Sequence, residues 1–283
     1  MYHEAITDSD LYKFTMQWGY LLKYPTVKGK YTLTVRDNRE FPAGFDLKLR
    51  EIIDTFRGIS LTKNEKDFMR ERCYYLPPAY LDFLEGYRYD PSEVEIKQTG
   101  AMLEVSAVGY LYRTVLWEVP LMATISELYF QMTNQVPHWT HCEGLTDNEI
   151  TTQINKMKAE DLASVGAYYS EFGTRRRYSS ENQDRVITDL IKYGGGNLLG
   201  SSNVYYSMKH DLTPMGTVAH EWYMLHAALF GYVMANQMAS EAWVDVYQGN
   251  LGIALPDTFT TDTFLKTFST KYAKLYDGVR QDS

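Results

Sequence analysis

From about residue 147 onwards, the chain repeats a short apolar segment, a polar loop and an amphipathic helical stretch. Candidate strands lead into "EFGTRRRYS" and "GSSNVYY", and shorter ones precede "MGTVAHEW", "PDTF" and "RQDS". Strands that alternate with helices predict parallel β/α units, because parallel strands must be joined by a crossover. About five strands can be counted, fewer than the eight that close a β/α barrel. The second half is therefore predicted to be an incomplete barrel.

The first part of the chain mixes strands and helices without this alternation. "KYTLTVRDN" reads as a strand, and "VEIKQTGAMLEVSAVGYLY" reads as two strands joined by a turn at Gly100. Helical stretches are expected near 46–57, 63–72 and 78–86, and another begins at Pro120. Because strands and helices do not alternate strictly here, the pattern is typical of an α+β arrangement. The predicted fold class is α/β with an α+β N-terminal part.

The first helix, within "DSDLYKFTMQWGYLLKYP", carries two apolar faces. One stripe consists of Leu11, Phe14, Trp18 and Leu21. Tyr12, Met16 and Tyr20 lie about 100° away, on a face that would be polar in a surface helix. The helix is therefore expected to be buried from two sides, for example by another subunit.

Composition excludes several classes of function. Asp and Glu number 36 against 28 Lys and Arg, and the formal charge of −8 argues against a nucleic-acid or anionic-membrane surface. The chain has 2 cysteines, too few for a disulfide framework. The start "MYHEAITDSD" lacks the features of a secretory signal, and no apolar run approaches the roughly 20 residues of a membrane span. We therefore expect a cytoplasmic protein that binds neither nucleic acid nor membranes.

Chemically useful side chains recur where the candidate strands end, which is where β/α barrels carry their chemistry. In order, these side chains are Phe172, Arg175, Ser201, Ser202, Asn203, His220, Asp257, Arg280 and Asp282. Arginine suits carboxylates and phosphates because its guanidinium binds them through two hydrogen bonds. Carboxylates suit Mg²⁺ and sugar hydroxyls. The combination predicts a phosphorylated sugar or nucleotide as substrate.

Each feature alone allows a simpler interpretation. The run 175–177 could be a solvated group of charges, and His220 could be a capping or packed residue. His226 is interpreted as structural because its helix is apolar. The segment 138–142, "HWTHC", resembles a metal clip but lacks a second ligand pair at zinc spacing. The glycines 194–196 lack the residues of a phosphate loop and are better explained as a helix stop.

Taken together and in order, "DSDLYKFTM", "EFGTRRRYS", "GSSNV", "PMGTVAHEW", "LPDTF" and "GVRQDS" resemble the nicotinate phosphoribosyltransferase family. The resemblance runs through essentially all 283 residues. It implies transfer of phosphoribose from phosphoribosyl pyrophosphate to nicotinate, coupled to ATP hydrolysis in NAD salvage. It also implies an N-terminal α/β sandwich, which we place at 1–140, packed on an irregular β/α barrel over 141–283 that carries the active site.

The resemblance implies roles for individual residues at the base. Phe172 matches the aromatic that stacks on the pyridine ring, and Tyr12 matches the opposite wall, which comes from the neighbouring subunit of a homodimer. Arg175 matches the arginine at the junction of ring and phosphate, and Arg280 one near the base and the ribose phosphate. Arg176 and Arg177 are expected behind Arg175 or on the phosphate side.

The remaining matches concern ribose, phosphate and ATP. Asp257 and Asp282 resemble acidic residues around the ribose and its Mg²⁺-bound pyrophosphate, and His220 resembles the histidine that ATP phosphorylates. The resemblance implies no direct protein ligand to the metal, since Mg²⁺ comes with the pyrophosphate. ATP is expected as a co-substrate. Of these residues, Asp282 and His220 are the predicted catalytic pair.

Three other functions are compatible with parts of this pattern. Ser202 argues against the nicotinamide-using relative, which carries an aspartate at the matching position. Relatives continue beyond the position of Ser283 with later barrel strands and a phosphate-binding loop. The chain is therefore expected to be the N-terminal two-thirds to three-quarters of the enzyme, and a fragment that binds ligands without catalysis stays open. A histidine phosphatase or phosphotransferase built around His220 would leave Tyr12 and Phe172 unexplained.

Overall fold

The computed structural model describes residues 3–35, 39–134 and 145–282. The eight strands of these residues are β1 Lys28–Thr32, β2 Val94–Thr99, β3 Met102–Tyr110, β4 Tyr169–Glu171, β5 Leu198–Ser201, β6 Thr213–Pro214, β7 Ile253–Ala254 and β8 Gly278–Val279. Their α-helices are α1 Leu11–Lys23, α2 Phe45–Thr55, α3 Lys63–Arg72, α4 Pro78–Gly86, α5 Leu111–Thr114, α6 Glu118–Thr133, α7 Asp147–Ser164, α8 Ser180–Tyr193, α9 Val204–Lys209, α10 His220–Phe230, α11 Tyr232–Tyr247, α12 Thr261–Thr267 and α13 Thr270–Leu275.

The N-terminal part contains an antiparallel sheet in the order β1-β3-β2. The predicted hairpin between β2 and β3 forms, with Thr99 opposite Met102. Gly100 occupies its turn with φ +60°, a conformation that glycine adopts without steric cost. The helices predicted near 46–57, 63–72 and 78–86 are also present as α2, α3 and α4.

The second part contains the expected parallel strands. β4, β5 and β6 form one parallel sheet, and β7 and β8 form a second. Within 145–282 there are five strands, which confirms the predicted number, and neither sheet closes. Helices α7 to α13 are interspersed with these strands, which confirms the α/β class. The glycines 194–196 end α8, as the helix-stop interpretation predicts.

Helix α1 lies in the middle of the structure and joins its two parts. Met16 is fully buried, and Tyr20 is buried and stacks on Trp222 of α10 at a centroid distance of 5.4 Å. A Cβ at Gly19 would meet the Trp222 ring at 2.8 Å, so only glycine allows this approach. The second apolar face of α1 is therefore covered largely by the same chain, and its burial requires no second subunit.

His226 has a structural environment. His226 is buried, with its ring bonded to the Trp222 carbonyl oxygen and the Tyr24 hydroxyl, and burial lowers its pKa to about 4. This confirms its structural interpretation.

Among the described residues, no helix combines the length and hydrophobicity that crossing a membrane requires. The segment 138–142 lies outside the described residues.

Candidate active site

The three consecutive arginines point into three different environments. They follow β4 in a short 3₁₀ turn, Thr174–Arg176, which rotates successive side chains by about a third of a circle. Arg177 is buried, Arg176 is exposed, and the Arg175 side chain is about half exposed. Arg175 donates from Nη1 to Glu118 Oε1 at 3.0 Å. Arg175 is thus the one of the three that is both held in place and open to a ligand.

Arg177 forms a buried ion pair with Asp8. Its Nη1 and Nη2 donate to the two carboxylate oxygens of Asp8 at 2.8 and 2.9 Å. Burial alone would raise the pKa of Asp8, but Arg177 and His3 outweigh it and hold the pKa well below its usual range. Asn203 donates to the same carboxylate at 2.8 Å. Of the two positions expected for Arg177, behind Arg175 or on the phosphate side, the buried pair agrees with the first, because Asp8 accepts from both of its terminal nitrogens.

This ion pair belongs to a polar network that fixes the loops following β4 and β5. Gln183 of α8 donates to Glu171 Oε1 and to Thr174 Oγ1 at 3.1 and 2.9 Å. Ser201 donates to the other Glu171 oxygen at 2.6 Å. Glu171 therefore joins the ends of the two neighbouring strands. The hydrogen bonds of Glu171 and Gln183 thus fix the loop that carries Arg175.

Asp10, Tyr12 and Ser202 lie together beside Arg175. Ser202 is fully buried and donates from Oγ to Asp10 Oδ1 at 2.7 Å. The Tyr12 hydroxyl lies close enough to the same carboxyl group to lower its pKa. Burial raises the pKa of Asp10 to about 6, opposed by Ser202 and by the positive charge of Arg175. The structure therefore brings three predicted residues, Tyr12, Arg175 and Ser202, together within one chain.

Phe172 occupies an open position. It follows the last residue of β4, and 52% of its surface is exposed. Gly173, which comes next, separates it from the turn with Arg175. An exposed phenyl ring at the end of a parallel strand is available to stack on a planar ligand.

A cavity of about 730 Å³ reaches the Arg175 side chain from the N-terminal part. It lies between β1, β3 and α6, and its walls include Leu33, Val105, Leu121 and Ile125. Glu118, Arg175 and Arg176 supply the charged groups of its lining, together with Arg39. Phe172 and His220 are not among its lining residues, so this cavity does not contain the whole predicted site.

His220, Asp257, Arg280 and Asp282 form a second cluster. His220 Nε2 lies 3.2 Å from Asp257 Oδ2 and 3.6 Å from Asp282 Oδ2. Arg280 Nη1 lies 3.5 Å from Asp282 Oδ1. His220 is the first residue of α10, and its side chain is 37% exposed. The predicted catalytic pair and its two neighbours are thus adjacent in space: β7 and β8 end side by side, and His220 reaches their ends from the first turn of α10.

The chemistry of this cluster suits both a divalent cation and a phosphoryl group. His220, Asp257 and Asp282 each offer a ligand atom, and these atoms lie within 4.8 Å of one another. Asp257 and Asp282 each offer a carboxylate oxygen, the type of ligand that Mg²⁺ prefers. His220 also stands at a helix N-terminus, where backbone N–H groups favour negative charge. A phosphate carried on the histidine or held by the cation would be stabilised here.

A third group of polar residues lies between the two clusters and was not foreseen from the sequence. The buried Lys13 contacts Glu118 and donates to Glu221 Oε2 at 2.6 Å. Burial would lower the pKa of Lys13, but the two carboxylates outweigh it and raise the pKa. A lysine within an otherwise largely apolar helix was the signal that could have identified it.

Comparison with known proteins identifies relatives of the chain. A model of the nicotinate phosphoribosyltransferase (NAPRTase) N-terminal domain matches residues 7–126, and a model of the nicotinate phosphoribosyltransferase (NAPRTase) family matches residues 168–283. A nicotinate phosphoribosyltransferase from Chromohalobacter salexigens is 48% identical over 281 residues, which cover 99% of this chain and 70% of that protein. One from Desulforapulum autotrophicum is 47% identical with the same coverage.

A solved structure agrees with these matches. The crystal structure of nicotinate phosphoribosyltransferase from Porphyromonas gingivalis is similar to this chain with a TM-score of 0.92 at 40% sequence identity. The similarity covers 99% of this chain and 70% of that one. The chain therefore spans about 70% of the length of these relatives.

Proposed function

Because the chain belongs to the nicotinate phosphoribosyltransferase family, a family of enzymes, we propose that it transfers phosphoribose from phosphoribosyl pyrophosphate to nicotinate. The products are nicotinate mononucleotide and pyrophosphate, and the reaction serves NAD salvage in the cytoplasm. One observation supports this most directly: Glu118 holds Arg175 in place after β4, while His220, Asp257 and Asp282 lie together near the ends of later strands. These are the groups that an anionic pyridine and a polyphosphate require.

At the base, Arg175 offers a guanidinium to an anionic ligand. Glu118 accepts from Nη1, which leaves the remaining guanidinium N–H groups as donors for a carboxylate or a phosphate. Nicotinate carries a carboxylate on a flat ring, so a cation and an aromatic wall recognise its two parts. Phe172 supplies the exposed aromatic wall, and Tyr12 the other.

The ribose hydroxyls and the leaving group are bound by Asp257, Asp282 and Arg280. The bond to C1′ breaks through an oxocarbenium-like transition state, and charge develops on the departing pyrophosphate. Mg²⁺ bound to the pyrophosphate would neutralise part of that charge. The two carboxylates bind the hydrated ion or the ribose hydroxyls, and Arg280 binds phosphate oxygens.

His220 links the reaction to ATP. Its Nε2 donates to Asp257, so the lone pair on Nδ1 is available to attack the γ-phosphorus of ATP; an N–P bond forms, the bond to the β–γ bridging oxygen breaks, and ADP leaves. Asp257 orients the ring and stabilises the positive charge that the attack creates. The phosphate formed at the N-terminus of α10 lies beside the pyrophosphate site, where it tightens the substrate complex.

The proposed function is tested by supplying nicotinate or nicotinamide with phosphoribosyl pyrophosphate, with and without ATP, to the full-length protein. We expect nicotinate mononucleotide as the product and an increase in its rate with ATP. One observation favours nicotinamide as an alternative base, since the carboxyl group of Asp10 lies 2.7 Å from the Ser202 hydroxyl and could accept from an amide. Faster turnover of nicotinamide would decide for that alternative.

Base choice can be shifted at Ser202. Ser202→Asp would place a second carboxylate beside Asp10, which repels the nicotinate carboxylate and favours the neutral amide. The preference for nicotinate should fall by about tenfold or more, the effect of a like charge worth about 1–3 kcal/mol. Competition between the two bases measures the ratio of kcat/KM values. Ser202→Ala is the control, because it removes the hydroxyl without adding charge, and an unchanged ratio in Ser202→Asp would exclude Ser202 from specificity.

We further propose a homodimer in which Tyr12 contributes to the site of the neighbouring subunit. Tyr12→Ala and Phe172→Ala should each raise the KM for nicotinate. If each site combines Tyr12 of one subunit with Phe172 of the other, mixed dimers of the two variants contain one intact site. Co-expressing the variants should then restore about a quarter of the activity, since half of the dimers are mixed. No recovery in verified mixed dimers would show that both residues serve the same chain.

A further inference from the structure

The helix that carries His220 begins without a side-chain cap. Its N-cap residue is Ala219, which offers no side-chain hydrogen bond to the first turn. Capping by Ser, Thr, Asp or Asn normally fixes such a turn. The position of the His220 ring relative to Asp257 therefore depends on some other contact of this turn.

Glu221, the next residue, makes that contact. Its Oε2 accepts from Lys13 at 2.6 Å, and its Oε1 accepts from the hydroxyls of Tyr20 and Tyr31, both at 3.0 Å. Lys13 and Tyr20 belong to α1, and Tyr31 belongs to β1. The Lys13 and Tyr20 side chains are buried, and burial together with Glu221 raises the tyrosine pKa values well above the usual range. Both carboxylate oxygens are thus held by donors from the N-terminal part.

The same lysine reaches towards the base. Lys13 also contacts Glu118, the partner of Arg175. Burial would raise the pKa of Glu118, but the positive charges of Lys13 and Arg175 outweigh it and lower the pKa. The order of contacts is Arg175, Glu118, Lys13, Glu221, with two positive and two negative groups. Charge balance allows this chain of ions to persist in the interior.

We propose that Glu221 is a positioning residue that holds the first turn of α10 so that His220 stays in line for phosphorylation. This inference rests on the proposed function, because it assigns Glu221 a part in the phosphorylation of His220. Both Glu221 carboxylate oxygens are bonded to Lys13, Tyr20 and Tyr31, so we assign the residue no contact with ATP or ribose and a role that acts through the backbone of the turn.

Labelling with γ-labelled ATP tests the inference on full-length wild type, Glu221→Gln and His220→Asn. A displacement of about 1 Å in a reacting group can cost about a hundredfold. We expect Glu221→Gln to form the phosphoenzyme at least about tenfold more slowly. Transfer to nicotinate without ATP should stay near the wild-type rate, because that reaction needs no phosphorylated His220. A residue with a merely structural role would lower both rates together.

Glu85→Gln provides a matched control. Glu85 accepts from Lys66 at 2.6 Å, and Lys66 also bridges to Asp82, so the arrangement repeats that of Lys13 at the surface. Its labelling rate should equal that of the wild type. A Tyr20→Phe/Tyr31→Phe variant tests the same point while keeping the charges, and it should slow labelling in the same direction. It also decides the matter if Glu221→Gln does not fold.

The outcomes separate this inference from the proposed function. Normal labelling of Glu221→Gln, or of the double phenylalanine variant where Glu221→Gln does not fold, with no labelling of His220→Asn would overturn the positioning role alone. An equal fall in labelling and in ATP-independent transfer would also overturn it. Stable label on His220→Asn would contradict the phosphohistidine itself, and the inference would fail with it.

Discussion

Replacing His220 with asparagine in the full-length protein should abolish both ATP hydrolysis and the acid-labile phosphate that ATP leaves on the enzyme. Asparagine keeps the polar character and the approximate size of the side chain but offers no nucleophilic nitrogen. ATP-coupled turnover should fall by at least about a hundredfold, the smaller end of what removing a positioned catalytic group costs. Slow transfer without ATP should remain, with weaker binding of phosphoribosyl pyrophosphate, because the arginine and the carboxylates are still present.

His210→Asn is the matched control for this experiment. His210 Nε2 lies 2.8 Å from Asp184 Oδ1, so it forms a histidine–aspartate pair like that of His220 and Asp257. It follows the end of α9, however, and does not stand at a helix N-terminus. Labelling of His210→Asn should equal that of the wild type. Stable label on His220→Asn would assign the phosphoenzyme to another residue.

The gathering of His220, Asp257 and Asp282 could be predicted from the sequence because it follows from topology. Parallel strands end at the same edge of a sheet, so Asp257 and Asp282, which follow the paired strands β7 and β8, meet without further information. His220 follows β6 of the other sheet, and its place after a strand of the same repeating pattern is what indicated that it joins them. The N-terminal helices and the hairpin at Gly100 could be predicted for a similar reason, since each depends on a local pattern.

The separate roles of the three arginines could not be predicted. Arg175, Arg176 and Arg177 are identical in type, and a short 3₁₀ turn sends one to Glu118, one to solvent and one to Asp8. Asp8 lies 169 positions away, a pairing that no local pattern encodes. The same limit hid the ions around Lys13, whose partners are 105 and 208 positions distant.

What covers the second apolar face of α1 could not be predicted either, for a related reason. A helix with two apolar faces must be covered twice, but its sequence does not say by what. Trp222 of α10 covers Tyr20, and the Tyr247 hydroxyl of α11 donates to the Thr15 carbonyl oxygen at 2.6 Å. Helices α10 and α11, from the second part of the same chain, therefore cover α1. The boundary near residue 140 and the homodimer stay predictions.

The ion pair of Arg177 and Asp8 predicts the largest effect on stability. Arg177→Leu would leave the buried Asp8 carboxylate without its main partner, which typically costs about 3–5 kcal/mol. For a chain of this size, the melting temperature should fall by roughly 10 °C. Arg176→Leu is the control, since Arg176 is exposed and its loss should change the melting temperature little.

The pH dependence of this effect separates an electrostatic cause from simple loss of packing. In the wild type the lowered pKa of Asp8 contributes stability above the unfolded value of about 4, and that contribution is lost as the pH falls. Without Arg177 the pKa of Asp8 should lie above that of the wild type, so falling pH protonates the carboxylate of the variant first and relieves the variant. The difference in unfolding free energy between wild type and Arg177→Leu should therefore be largest near neutral pH and shrink towards pH about 4. Denaturant melts at several pH values measure it, and a difference independent of pH would assign the loss to packing.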